Sequence, residues 1–280
     1  MNKVIIGAFA DEAGGRLDDQ IAAMLDNGVK HLEARMVDGK NFVDCTAEEA
    51  RAIKAKLDAN DLRIWSIGSP LGKINITDPM EPHLDKLKHT LELAAIMGSE
   101  RIRMFSFFIP EGEDPAVYRD EVMERLSRMV EVAAGSGVKL CHENEKGIYG
   151  DVAVRCKDIL DSVPGLGGIF DPANFIQCGQ NTLEAWDLLK DRIDYFHVKD
   201  CLEDGKVVPC GKGIGHVPEI LSKFIAAGGQ QLTVEPHLTV FDGFAALEKD
   251  GAKTKMDAFA YPSKRAAFDA AVAALKESLV

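Results

Sequence analysis

The stretch Val138-Lys139-Leu140-Cys141-His142-Glu143-Asn144-Glu145-Lys146-Gly147-Ile148-Tyr149-Gly150-Asp151 decides the reading of this chain. A short apolar run follows a Gly-Ser-Gly break. It meets His, Glu, Asn and Glu in succession and dissolves into a Gly-containing loop. A buried strand that ends in a chemically active loop has this form. Side chains alternate along a strand, so Glu143 and Glu145 share one face, and His142 and Asn144 the other. Two carboxylates together at a strand mouth repel, and a cation or shared protons must relieve them.

Outward from this point, short apolar strands and amphipathic helices alternate. Strands are expected at 4–10, 30–35, 62–67, 101–108, 138–143, 167–170, 194–198 and 231–235. Helices are expected at 16–27, 46–60, 78–97, 114–135, 151–163, 182–190, 217–227 and 263–279. Thr46 and Glu49 form a capping box, and Asp78-Pro79 and Asp114-Pro115 open two more helices. Asp242–Tyr261, polar and rich in Lys and Gly, reads as an extended loop before the last helix. Eight strands alternating with eight helices predict an α/β (β/α)8 TIM barrel, one domain over 1–280. The competing open doubly wound sheet needs a Gly-rich phosphate turn after strand one. Asp11-Glu12-Ala13-Gly14-Gly15-Arg16 is too acidic for that role.

Composition narrows the function. The 280 residues carry a net charge of −12, against the clustered positive charge that nucleic acid requires. Six scattered cysteines include no Cys-x-x-Cys pair, which predicts reduced thiols in a cytoplasmic protein and neither a disulfide framework nor a zinc ribbon. The first residues read as a buried strand and not a signal peptide, and no apolar run approaches membrane-spanning length.

Barrel chemistry sits at the C-terminal strand ends. Four consecutive strands end in one ligand-type residue after an apolar approach: Glu143, Asp171, His197 and Glu235. Each has a bland reading alone. Asp before Pro caps a turn, a strand-end His is structural, and Glu before Pro is a loop carboxylate. Together they are explained by a shared divalent metal, because buried charge must be paired or metal-bound. Three carboxylates and an imidazole suit Mn2+, Mg2+, Co2+ or Zn2+ with positions left for substrate oxygens. Cys141 is given no role beyond packing.

His142-Glu143-Asn144, Phe170-Asp171-Pro172-Ala173-Asn174-Phe175, Phe196-His197-Val198-Lys199-Asp200 and Val234-Glu235-Pro236-His237 resemble the xylose isomerase-like barrel superfamily, in particular its sugar phosphate isomerase/epimerase group. The resemblance runs nearly the whole chain in element order. It implies metal ligands at Glu143, Asp171, His197 and Glu235, with Mn2+ the first expectation, and acid/base roles for Glu143 and Glu235. The implied reaction abstracts a proton beside a sugar carbonyl and passes through an enediolate to an isomer or epimer. Elimination on the same site, as in an inosose-type dehydratase or cleavage of an oxidised glycoside, is the alternative. Epimerases of the group often have His three residues after the metal Asp and Arg shortly after the strand-seven His. This chain has Asn174, and Lys199 and Lys212.

Asn174, Lys199, His237, Glu145 and Lys146 are the candidate substrate contacts. Glu145 is also a candidate to orient His197 or Lys199. Glu33 and Arg35 share a face, either paired with each other or facing substrate. Arg103 reads as buried and paired, and Trp65 and Phe107 as core or an apolar wall at the mouth. The expected partner is a small sugar, with neither nucleic acid nor membrane, and a homo-oligomer as a further expectation. A DNA repair nuclease needs more His than the seven present and a basic face. A non-catalytic sugar-binding subunit would not need all four ligand positions filled.

Overall fold

The computed structural model describes residues 4–240 and 261–280. Eight parallel strands close into a barrel in sequence order: β1 (Ile5–Ala8), β2 (His31–Ala34), β3 (Arg63–Ile67), β4 (Arg101–Met104), β5 (Lys139–Glu143), β6 (Gly167–Phe170), β7 (Ile193–Val198) and β8 (Gln231–Val234). Around them lie α1 (Leu17–Asp26), α2 (Ala47–Asp58), α3 (Glu81–Met97), α4 (Arg119–Ala133), α5 (Ala153–Ser162), α6 (Pro172–Gln177), α7 (Thr182–Leu189), α8 (Val217–Ala226) and α9 (Lys264–Ser278). The loop expected at Asp242–Tyr261 lies outside the described residues, apart from Tyr261.

Alternation along the strands builds two cores. On β7, Phe196 faces outward into an aromatic layer with Phe170, Trp186 and Phe224. Tyr195 faces inward and joins Trp65, Cys141 and Ile169 in a separate layer. Trp65 therefore plugs the barrel's N-terminal end, beside a hollow also lined by Arg63 and Arg101, and forms no wall at the mouth. Phe107 is fully buried in the outer core.

Caps account for most shifted boundaries. The Thr46–Glu49 capping box is present. The Asp78 carboxylate instead accepts from the Asn75 backbone N–H at 2.9 Å, so α3 starts three residues later than expected, at Glu81. Asp114 opens a 3-10 turn, Pro115–Tyr118, and α4 follows it. Two hairpins escape the periodicity because each strand is two residues long: Met36–Val37 with Lys40–Asn41, and Asp200–Cys201 with Val207–Val208. The buried Asp200 carboxylate accepts backbone N–H groups from Cys201, Gly211, Gly213 and Gly215 at 2.9–3.1 Å. A Cβ on Gly213 would stand 2.3 Å from that carboxylate, so only glycine lets the loop close over it.

Candidate active site

The inward positions at the C-terminal ends of the strands converge. One ligand atom each from Glu143, Asp171, His197 and Glu235 lies within 4.8 Å of the others, and all four residues are buried. Asp171 combines the two readings open to it. Its Oδ1 accepts the Asn174 N–H at 2.9 Å and caps α6, while Oδ2 faces the cluster. His197 Nδ1 lies 2.8 Å from Glu143 Oε1 and 3.7 Å from Glu235 Oε2.

Strands β1, β2 and β4 add groups beneath and beside this set. Arg35, fully buried, donates to Asp11 Oδ2 at 2.9 Å, Glu12 Oε1 at 2.9 Å and Glu235 Oε1 at 3.1 Å. It does not pair with Glu33, although both face inward. Glu33 lies 3.1 Å from His197 Nε2 and also accepts from Tyr195 and Ser66. Arg103 is buried and paired, with Nη1 3.3 Å from Glu143 Oε2. The ring of Phe9 lies 4.5 Å from the Arg35 guanidinium carbon and 5.0 Å from that of Arg103, with the edge of His197 at 5.1 Å.

Lys199 reaches further into the ligand set than a rim contact would. Its Nζ stands 2.9 Å from Asp171 Oδ2 and 3.1 Å from Glu235 Oε2. Asn174 Nδ2 donates to the Asn144 carbonyl at 2.9 Å, so that amide group holds two strand ends together. Asn144 completes the clamp by exchanging hydrogen bonds with the backbone of Asp171. Glu145 pairs with Lys73 at 3.2 Å, and the carboxylate hydrogen-bonded to the far side of His197 is Glu33. Lys146 is half-buried and donates to Gln177 at 3.2 Å. The ring of His237 lies 3.8 Å from Glu235 and 3.9 Å from Glu12, on a backbone with φ of 43°.

Electrostatics follow from burial opposed by neighbours. Burial raises the Asp171 carboxyl, Lys199 offsets part of that, and Glu235 and Glu143 add to it, leaving the group at about 7. Glu12 is raised by burial to about 8 despite Arg35. Burial would also raise Glu235, but Lys199, His237, His197 and Arg35 hold it well below the ordinary carboxylate range. Burial opposes a charge on His197, yet Glu143 and Glu33 carry it up to about 10. His142 points away, with Nε2 2.9 Å from Ser106, and burial depresses it to about 3.

The donor set fits a divalent cation. Glu143 Oε2 and Asp171 Oδ2 are buried with no hydrogen-bond partner among the described residues. Arg103 and Lys199 approach them as charges, off the hydrogen-bond direction. Six buried carboxylates (Asp11, Glu12, Glu33, Glu143, Asp171 and Glu235) share the mouth with three permanent cations (Arg35, Arg103 and Lys199). Such an excess of buried negative charge calls for bound protons, which Asp171, Glu12 and His197 hold here, or for a further cation in their place. Sequence reasoning missed Asp11 and Glu12. Their signal was their place after β1, the same strand-end rule that found Glu143.

Fold and site together define a (β/α)8 barrel with an acid-and-histidine centre at the strand ends. Residues 21–256 match the model of the xylose isomerase-like TIM barrel family, and the chain belongs to it. No curated protein sequence matches the chain. Among solved structures, the IOLI protein with a bound zinc atom is similar at TM-score 0.74 and 13% identity, covering 99% of this chain and 98% of that one. The probable 3-DHS dehydratase AsbF from Bacillus anthracis gives 0.72 and 16%, covering 98% of each chain. A 3-keto-D-glucoside 4-epimerase from E. coli gives 0.69 and 16%, covering 99% of each. Among the described residues no helix is long and apolar enough to cross a membrane, and all six cysteines are free.

Proposed function

We propose that this protein is a divalent-metal-dependent isomerase or epimerase acting on a sugar or sugar phosphate by proton transfer beside a carbonyl. The single observation that carries the reading is the buried meeting of Glu143, Asp171, His197 and Glu235 within 4.8 Å, with two carboxylate oxygens lacking hydrogen bonds. Those four residues would hold the cation, with Mn2+ proposed first and Mg2+, Co2+ or Zn2+ as substitutes. When bound, it would act as a Lewis acid toward the substrate carbonyl and acidify the neighbouring C–H.

The chain's own groups supply the rest. Glu143 takes the proton from carbon through a carboxylate whose Oε2 is charge-paired with Arg103. Glu235, held between Arg35 and Lys199, is the second acid/base group. Lys199, His237, Lys146 and Glu145 stand where substrate hydroxyls or a phosphate would enter, and Asn174 steadies the strand ends beneath them. The probable 3-DHS dehydratase and the 3-keto-D-glucoside 4-epimerase share the fold and support this class of chemistry.

One observation favours elimination as a second reading. Both oxygens of Glu235 accept hydrogen bonds, from Arg35 and Lys199, whereas Glu143 Oε2 accepts none from the described residues, so Glu235 is the poorer proton acceptor of the two. Inversion by two bases needs both carboxylates, whereas loss of a β-hydroxyl needs one base. The test is a panel of ketoses and keto-sugars incubated with the Mn2+-loaded protein in D2O and followed by NMR and mass spectrometry. Deuterium entering the carbon beside the carbonyl, with mass otherwise conserved, is expected. Loss of water or an aglycone selects the lyase. A chain that binds no divalent ion and exchanges no substrate proton overturns both readings.

A further inference from the structure

We propose that Glu33 is a positioning residue that fixes the imidazole of His197 with its proton on Nε2 and its Nδ1 lone pair aimed at the ligand set. The inference rests on the metal-site reading above. Glu33 is completely buried at the end of β2, and both of its oxygens are engaged. Oε1 accepts from the Tyr195 hydroxyl at 2.9 Å and Ser66 Oγ at 3.2 Å. Oε2 stands 3.1 Å from His197 Nε2. An ionised carboxylate only accepts, so the facing ring nitrogen must carry the hydrogen.

The opposite ring nitrogen faces acid on every side. Nδ1 lies 2.8 Å from Glu143 Oε1 and 3.7 Å from Glu235 Oε2. With the Nε2 hydrogen held by Glu33, Nδ1 is the nitrogen left to give up its proton to an incoming cation and offer this cluster a lone pair. The ring is also clamped, edge-on to Phe9 at 5.1 Å and to Tyr195 at 5.4 Å. The Tyr195 ring belongs to the packed inner layer, so the chain Tyr195–Glu33–His197 ties the ligand to the barrel's rigid floor. A hydrogen-bonded carboxylate behind a ligating histidine is worth about 10–100-fold in metal affinity.

The test uses Glu33→Gln in the full chain, because the Gln amide can donate to Nε2 and permit the other tautomer. Zinc binding is measured by calorimetry, and the ring nitrogens of His197 are followed by 15N NMR in the zinc-loaded, diamagnetic protein. Zinc affinity about 10–100-fold weaker is expected, with loss of the single Nε2–H form. Tyr195→Phe keeps the carboxylate and leaves Ser66 as a donor to its Oε1, so it should weaken zinc by less than E33Q and keep the Nε2–H form, whereas a loss equal to that of E33Q would mark a general packing role. If E33Q does not fold, Glu33→Asp, which keeps the charge and withdraws the oxygens, is expected to lose affinity and tautomer in the same way. Wild type and variant taking zinc alike, with unchanged ring shifts, overturns the role of Glu33 alone. A wild-type chain that takes no zinc overturns the metal reading as well.

Discussion

Strands β5 to β8 deliver Glu143, Asp171, His197 and Glu235 to the mouth, whereas β1, β2 and β4 deliver Asp11, Glu12, Glu33, Arg35 and Arg103. The later half presents oxygens and a nitrogen to a common centre. The earlier half surrounds that centre with counter-charges and hydrogen bonds. Arg35 reaches Glu235, Arg103 reaches both Glu143 and Glu235, and Glu33 touches the histidine of the later half. Lys199 is the exception, a cation from β7 lying among the ligands themselves. The contrast teaches that a concentrated acid site is a property of the whole barrel. Ligands grouped on adjacent strands are kept buried by charges from the rest of the barrel.

The sharpest way to break this division is to neutralise one member of the later half. Glu143→Gln keeps the shape and removes the charge and the proposed proton acceptor. Turnover is expected to fall by about 10²–10⁴, with the melting temperature held or raised as buried repulsion is relieved. Steady-state kinetics and a thermal melt check both. Retained turnover would place the chemistry elsewhere. The complementary change in the earlier half is Arg35→Met, which strands Asp11, Glu12 and one oxygen of Glu235. Removing one partner of a buried ion network costs about 3–5 kcal/mol. Denaturant unfolding should report that loss in E143-intact protein, and a change below about 1 kcal/mol would show that Arg35 is not the counter-charge assigned to it.

The two halves were not equally legible in the sequence. Each strand of the later half runs through apolar residues to one Glu, Asp or His, so the functional residue stands out. The barrel itself followed from the strict alternation of short apolar runs with amphipathic segments. Asp11 and Glu12 sit in a run with Gly14, Gly15 and Arg16 that looks like a solvated turn. Only closure of the barrel brings Arg35 across to them, 24 residues from Asp11 and 200 from Glu235. Glu33 and Arg35 were visible as sharing a face of β2, read as paired with each other or facing substrate. Each found a partner on another strand instead. The same limit left Trp65 open between core and mouth, and the structure puts it in the core, since a strand's pattern gives its face and not its depth in the barrel.

Solution pH offers a third probe, smaller and shared by both halves. Asp171 and Glu12 have folded-state values raised to about 7 and about 8, above those of an unfolded chain. Such carboxyls bind protons more tightly when folded, so their contribution is lost as pH rises through those values. His197, raised to about 10, contributes fully below its unfolded value and loses that contribution as pH climbs toward 10. All three slope the same way above pH 5. Glu33 and Glu235 are lowered, so their contribution is complete above the unfolded carboxyl value and is lost only in acid. His142 and His83, depressed by burial to about 3 and about 4, slope the opposite way below the ordinary histidine value, so with a chelator present the melting temperature is expected to drop only from about pH 7 to pH 9. Saturating Mn2+ should flatten that drop, because it neutralises the same carboxylates without protons. A melting temperature independent of pH and of Mn2+ would leave the excess negative charge unaccounted for.

The smallest effect belongs to the rim, where neither half is tightly packed. Lys146 is half-buried, reaches Gln177 across the loop after β5 and lies 3.9 Å from Glu145. If it meets only the substrate's outer hydroxyls or a phosphate, its contact is the same in the ground and transition states. Lys146→Ala should then raise KM with kcat unchanged, by about fivefold at most for a partly exposed charge. Lys199→Ala provides the contrast. Its ammonium neutralises two of the four ligand residues, so its removal should alter metal affinity and kcat together. Equal effects from the two lysines would mean that the boundary drawn between centre and rim is misplaced, and that Lys199 acts on the substrate and not on Asp171 and Glu235.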